Sequence, residues 1–192
     1  EIFYLDDLIN DFRMQEVQKA GAVFDIKKLN WINNNHLANL DLEEFIEQLK
    51  PFLKNENIIL ESKENWQEII SHLRTSSSTL ASISKDLIPY FLDIQTYDQK
   101  SVEKFIIGSK PTLEFVLRQL ELIESWNEDQ LDDALTKCQR DLDLKTPQLN
   151  QPIRVALVGT TKSPSLGLTL SLVGKEVALA RIKKAIEFND QE

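Results

Sequence analysis

Apolar residues recur every three or four positions along most of this chain, which is the spacing of an amphipathic helix. From 41 to 53 the stripe is Leu42, Phe45, Ile46, Leu49 and Phe52 or Leu53, behind an Asp41 cap with Glu44 three residues on. Residues 63–74 repeat it with Trp66, Ile69, Ile70 and Leu73. Residues 111–124 open on Pro111 at a first-turn position and carry Leu113, Val116, Leu117, Leu120 and Ile123. Residues 127–142 start at an Asn127 cap, and residues 175–188 carry Leu179, Ile182, Ala185 and Ile186. Two soft breaks interrupt the pattern. "RTSSSTLASISKD" (74–86) reads as a loop, a helix start, or both, and "DLKTPQLNQP" (143–152) is polar with two prolines. The pattern predicts an all-α architecture of stacked helical hairpins.

The stretch "RVALVGTTKSPSLGLTLSLVG" (154–174) first looks like a strand entering a phosphate loop. That reading fails at Pro164, where the loop requires a second glycine and proline has no amide to donate. Lys162 and Ser163 also come too early, and no Gly-x-Gly follows. The helical alternative ends a short buried helix at Val158 with a left-handed Gly159. Thr160 to Pro164 then form an exposed loop, Ser163 caps the next helix with Pro164 in its first turn, and Gly174 ends that helix. Such a loop offers a lysine, hydroxyls and a rigid proline to splayed single-stranded bases.

Composition sharpens this. Five glycines and six prolines in 192 residues favour helices over a Gly-rich nucleotide site. Cys138 is the only cysteine, so no internal disulfide forms and a reducing compartment, the cytoplasm, is expected. Cys138 reads as a small buried residue. With one cysteine and two unpatterned histidines, His36 and His72, no metal site is expected. No run approaches a membrane span. The first residue is Glu1, which suggests a piece of something longer. The net charge of −9 argues against indiscriminate nucleic-acid binding, DNA included. Residues 145–184 nevertheless hold seven bases against one acid, a local +6 that leaves −15 on the rest.

Two motifs then carry a resemblance. "QPIRVALVGTTKSPSLGLTLSLVGKEVALARIKKAI" (151–186) and "GAVFDIKKLNWINNNHL" (21–37) are similar to the C-terminal part of bacterial glutamyl-tRNA synthetases, as is the opening "EIFYLDDLINDF". The match is collinear over the whole chain. It implies the helical anticodon-binding fold of a class I synthetase, divided into the end of a stem-contact region (1–38) and two helical subdomains (39–95 and 96–192). It implies tRNA(Glu) as partner and a monomer. The HIGH and Lys-x-Ser-Lys motifs of the catalytic domain are missing, so the fragment alone is expected to be inactive and without cofactor, ATP and Mg belonging to the full enzyme.

Carried over residue by residue, the resemblance implies Arg154 as a reader of an anticodon base, and Ser163, Pro164 and Leu166 as anticodon contacts. Lys28 and Trp31 fall towards the tRNA stem, with Asn33 of the same signature as a helix cap. Some family members place near position 76 an arginine that separates glutamate from glutamine tRNA. Here Ser76 holds that place, two residues after Arg74, so either Arg74 substitutes or the anticodon base that such an arginine reads is read loosely. Trp66 and Trp126 read as core. The alternative from another class is a helical protein-interaction scaffold without an RNA role.

Overall fold

A computed structural model describes residues 2–17, 21 and 23–188, with eleven α-helices and no strand among them. Glu1 of the opening stretch and Ala22 of the 21–37 signature lie outside the described residues. Helix α1 spans Leu5–Asp11 and α2 spans Ile26–Asn39. Asp25 starts α2 by accepting the amides of Lys27 (2.9 Å) and Lys28 (3.1 Å). Helix α3 (Leu42–Asn55) begins on Asp41, whose carboxylate takes the Glu44 amide at 2.8 Å, and it buries Phe45, Leu49 and Leu53. Helices α4 (Trp66–Leu73) and α5 (Leu80–Phe91) flank the Ser/Thr run, which is both a turn and a helix start: Thr79 caps α5 by accepting the Ser82 amide.

Helix α6 (Gln99–Ser101) runs into a π-helical turn, Val102–Ile106, that the periodicity does not announce. Helix α7 (Lys110–Glu121) has Pro111 in its first turn, and α8 (Glu128–Asp141) starts at Asn127, which accepts the Gln130 amide at 3.1 Å. Helix α9 spans Thr146–Val158, so most of the expected polar break at 143–152 is helical. Pro147 lies in its first turn, where a missing amide costs nothing. Pro152 forfeits an interior bond, a cost of about 3 kcal/mol. Burial of Leu149, Ile153, Val155, Leu157 and Val158, each worth roughly 1.5–3 kcal/mol, outweighs it. Helices α10 (Leu166–Val173) and α11 (Lys175–Glu187) are separated by Gly174 at φ +91°.

Helices α3 and α4 pack on α5, α10 on α8, and α11 on α7 and α9. One core runs from Leu37 to Ala185, with Trp66 and Trp126 packed against it and the Trp126 indole N–H given to the Leu170 carbonyl at 2.9 Å. The α10–α8 approach depends on Gly167. A Cβ there would run into the Asp132 carboxylate and come within 3.0 Å of the Glu128 carbonyl.

Arg181 on α11 is 7 % exposed. Its Nη1 donates to the carbonyls of Pro89 and Leu157, both at 2.6 Å, and its Nη2 to that of Leu92 at 2.9 Å. These are the unpaired carbonyls at the ends of α5 and α9, where the helix dipoles are negative. Burial lowers the guanidinium pKa from its ordinary value, yet an arginine stays charged in water-accessible pH ranges. Arg181→Met is expected to lower stability by about 3 kcal/mol, since three carbonyls lose a charged donor; urea denaturation measures it. Cys138 is fully buried and its thiol is pushed up by that burial, so a thiol reagent should label the folded chain only as fast as it unfolds.

Candidate nucleic-acid interface

A cavity of about 650 Å³ opens between α4–α5 and the segment from Val158 to Pro164. Leu73, Pro89, Tyr90, Val158 and Pro164 give it apolar surface. Thr75, Ser76, Thr160, Thr161 and Ser163 contribute hydroxyls, and His72, Lys85, Asp86 and Lys162 complete the lining. Burial pushes the Tyr90 phenol up to about 12, so Tyr90 itself stays neutral across the physiological range.

The 160–164 loop is held from both ends. Gly159 closes α9 in the left-handed conformation at φ +76°, as its place after Val158 predicts, and its carbonyl accepts the Asp98 amide at 3.0 Å. A Cβ on Gly159 would sit 3.2 Å from Ile94 Cγ2. At the other end Ser165 caps α10 by accepting the Leu168 amide at 3.3 Å. The cap is therefore Ser165 rather than the expected Ser163. The Ser163 hydroxyl is taken up elsewhere: it accepts Arg154 Nε at 2.8 Å and lies 3.0 Å from Thr169 Oγ1.

Arg154 reaches this loop from the middle of α9. Besides Ser163 it donates from Nη2 to the Pro164 carbonyl at 3.3 Å. Half-burial lowers its pKa from the ordinary value, as desolvation of a cation must. Arg154, Ser163 and Pro164, predicted separately as base contacts, thus form one bonded unit, of which Ser163 and Pro164 line the cavity. Leu166 does not join it. At 3 % exposure it is the first core residue of α10, fixing the helix behind the loop.

Arg74 and Ser76 part company. The Arg74 Nη2 donates to the carbonyls of Leu37 (3.0 Å), Ala38 (2.8 Å) and Leu40 (2.5 Å), and its guanidinium lies 5.4 Å from the centre of the Phe45 ring. Those carbonyls end α2, so Arg74 clamps a helix terminus where the sequence reading offers it as a substitute base reader. Ser76 lines the cavity, and its hydroxyl donates to Asp86 Oδ2 at 2.9 Å; Ser77 donates to the same oxygen at 2.6 Å. Asp86 was not anticipated. Its only signal is a carboxylate about ten residues after a serine run, and a helical turn had to bring them together.

Lys28 and Trp31 are exposed on α2, Trp31 by 51 %, and they lie outside the cavity lining. Asn33, also on α2, sits in the helix interior rather than at a cap, and its Nδ2 donates to the Ser78 carbonyl. That bond and the Arg74 clamp fasten α2 to the serine turn beside the cavity. Of the seven bases in 145–184, Lys162 lines the cavity and Arg154 braces it. Arg181 is buried, Lys175 donates to the Glu121 and Ile123 carbonyls, Lys183 pairs with Glu121 at 2.9 Å, and Lys184 lies over Tyr97. Two of the seven, Arg181 and Lys175, are thus committed to helix-end carbonyls.

Removing Arg154 should loosen the loop more than the fold. We expect Arg154→Ala to lower stability by about 1–3 kcal/mol in urea and to speed tryptic cleavage after Lys162 by more than that loss accounts for.

The profile described as "Anticodon binding domain" matches residues 44–186. The chain is 32 % identical over 192 residues to glutamate–tRNA ligase 2 of Thermoanaerobacter pseudethanolicus, covering 98 % of this chain and 40 % of that protein. It is 31 % identical over 195 residues to glutamate–tRNA ligase 1 of Caldanaerobacter subterraneus, again over 40 % of the relative's length. A crystal structure of a glutamate tRNA ligase from Elizabethkingia meningosepticum superposes with a TM-score of 0.77 over 95 % of this chain and 36 % of that one, at 24 % identity. The glutamate-tRNA synthetase of Elizabethkingia anophelis gives 0.75 at 25 % identity, with the same coverage. The chain thus spans about two fifths of the length of the curated relatives it matches. The match of the profile across the helices that build the cavity, over a fold shared with these ligases, shows that the chain belongs to the anticodon-binding domain family.

Proposed function

We propose that this chain binds the anticodon loop of tRNA(Glu) as the C-terminal part of a glutamate–tRNA ligase acting in cytoplasmic protein synthesis. The observation that carries the reading is the cavity between α5 and the 160–164 loop, with Arg154 bracing Ser163 and Pro164 on its wall. Splayed bases need flat apolar surface, fixed donors and acceptors, and cations at the rim for phosphates. Pro164 supplies the first, the loop hydroxyls the second, and Lys85 and Lys162 the third. Arg154 serves here as a positioning residue for the loop, with Ser163 and Pro164 as the surfaces that meet a base.

Lys28 and Trp31, exposed on α2, suit a phosphate and a sugar or base of the stem. The adenylate chemistry of the ligase, with its ATP and magnesium, belongs on this reading to the part of the enzyme this chain does not span. The scaffold alternative finds its observation in α1 and its C-cap, where Leu5, Ile9 and Phe12 are 71, 65 and 61 % exposed. Salt separates the two. RNA binding weakens as salt rises, with a slope of about −0.7 per phosphate contacted in a single strand, whereas an apolar protein contact does not.

In the full-length enzyme, Arg154→Ala is expected to lower kcat/KM for tRNA(Glu) by about tenfold, mostly through KM, with the Michaelis constants for ATP and glutamate at saturating tRNA unchanged. Unaltered charging kinetics, together with salt-independent tRNA binding, would sink the proposal.

A further inference from the structure

Asp86 is the acidic side chain of the cavity, and nothing so far gives it a role. Its Oδ2 accepts two hydroxyls, Ser76 at 2.9 Å and Ser77 at 2.6 Å. Among the described residues no bond is made to Oδ1. The two serines therefore turn their hydrogens inward to the carboxylate. This wall presents acceptor lone pairs, although its sequence of hydroxyls would suggest it can both donate and accept. The opposite wall is unlike it: Lys162 and the Thr161 hydroxyl can donate there.

An ionised carboxylate accepts only. It bonds a base that carries an exocyclic amine and repels one that presents a carbonyl at the same place. Cytosine and uracil differ in this way at position 4, N4–H₂ against O4, so the carboxylate selects where it meets that edge. Flanking Lys85 offsets the repulsion between the carboxylate and nearby phosphates.

Resting on the anticodon-binding reading, we propose that Asp86, oriented by Ser76 and Ser77, is a specificity-determining residue that selects an amine-bearing base at one position of the bound loop. Its selection replaces the loose reading that a serine at 76 would otherwise imply. Asparagine at 86 can turn either a donor or an acceptor outward, so it should accept both pyrimidines.

The test uses the full-length enzyme and tRNA(Glu) transcripts carrying C or U at each anticodon position in turn. At one position the native enzyme should prefer C by about tenfold in kcat/KM, and Asp86→Asn should cut that preference to within about twofold while leaving the other positions alone. The double variant Ser76→Ala with Ser77→Ala keeps the carboxylate but frees its rotation. It should weaken the same preference partway at an unchanged Tm, which covers the case of a poorly folded Asp86→Asn. Loss of the preference at that position alone supports the assignment. Full retention in both variants overturns it, as does a native enzyme with no C-over-U preference anywhere. Failure of the underlying reading looks different: tRNA binding would then be indifferent to Arg154→Ala, whatever bases the transcript carries.

Discussion

Among the described residues, five helix C-termini are held by cations from distant segments. Arg181 gathers the last carbonyls of α5 and α9, Arg74 those of α2, Lys175 those of α7, and Lys63 reaches the Val173 carbonyl at the end of α10. Each such end carries about half a negative charge and up to four unpaired acceptors. Buried without donors, they would cost more than the apolar contacts around them return. A bundle of short helices has many ends for its size, so this constraint decides where most of the inward basic side chains go. The remaining contacts, of α3 on α5 and α10 on α8, can then form between helices whose termini are already fixed.

The cavity inherits its shape from that arrangement. Arg181 holds α5 against the end of α9, which sets the distance between the two walls. Arg154, one turn earlier on α9, uses the same chemistry on a loop in place of a helix end, and the loop can then present Ser163 and Pro164 at a fixed height. Arg74 and Asn33 hold the serine turn to α2. A long helix bearing Lys28 and Trp31 is thereby mechanically joined to the lip that bears Ser76. Local rigidity on both walls means that a ligand entering the cavity would meet donors and acceptors already oriented, with little ordering left to do on binding.

Local signals were legible where one short segment decides the outcome. Asp41 and Asn127 cap their helices, Pro111 opens one and Gly159 closes one, because capping involves groups within four residues of each other. Where two local solutions competed, neighbours in space chose. Ser163 and Ser165 are both plausible caps for α10, and Ser163 was captured by Arg154 and Thr169. Proline in "TPQLNQP" argued for a break, and burial along α9 overrode it.

By itself the sequence determined the helical class, most helix starts and stops, and the exclusion of a phosphate loop at Pro164. Those follow from periodicity, caps and backbone chemistry, which act over a few residues. Only the tertiary structure decided which cations are available. Arg74 and Arg181 look like surface charges in a string of letters and prove to be clamps, while Asp86 becomes a wall of the cavity through two serines across a turn. A charge count adds residues along the chain. The field a ligand meets depends on which of those charges the helix ends have already neutralised.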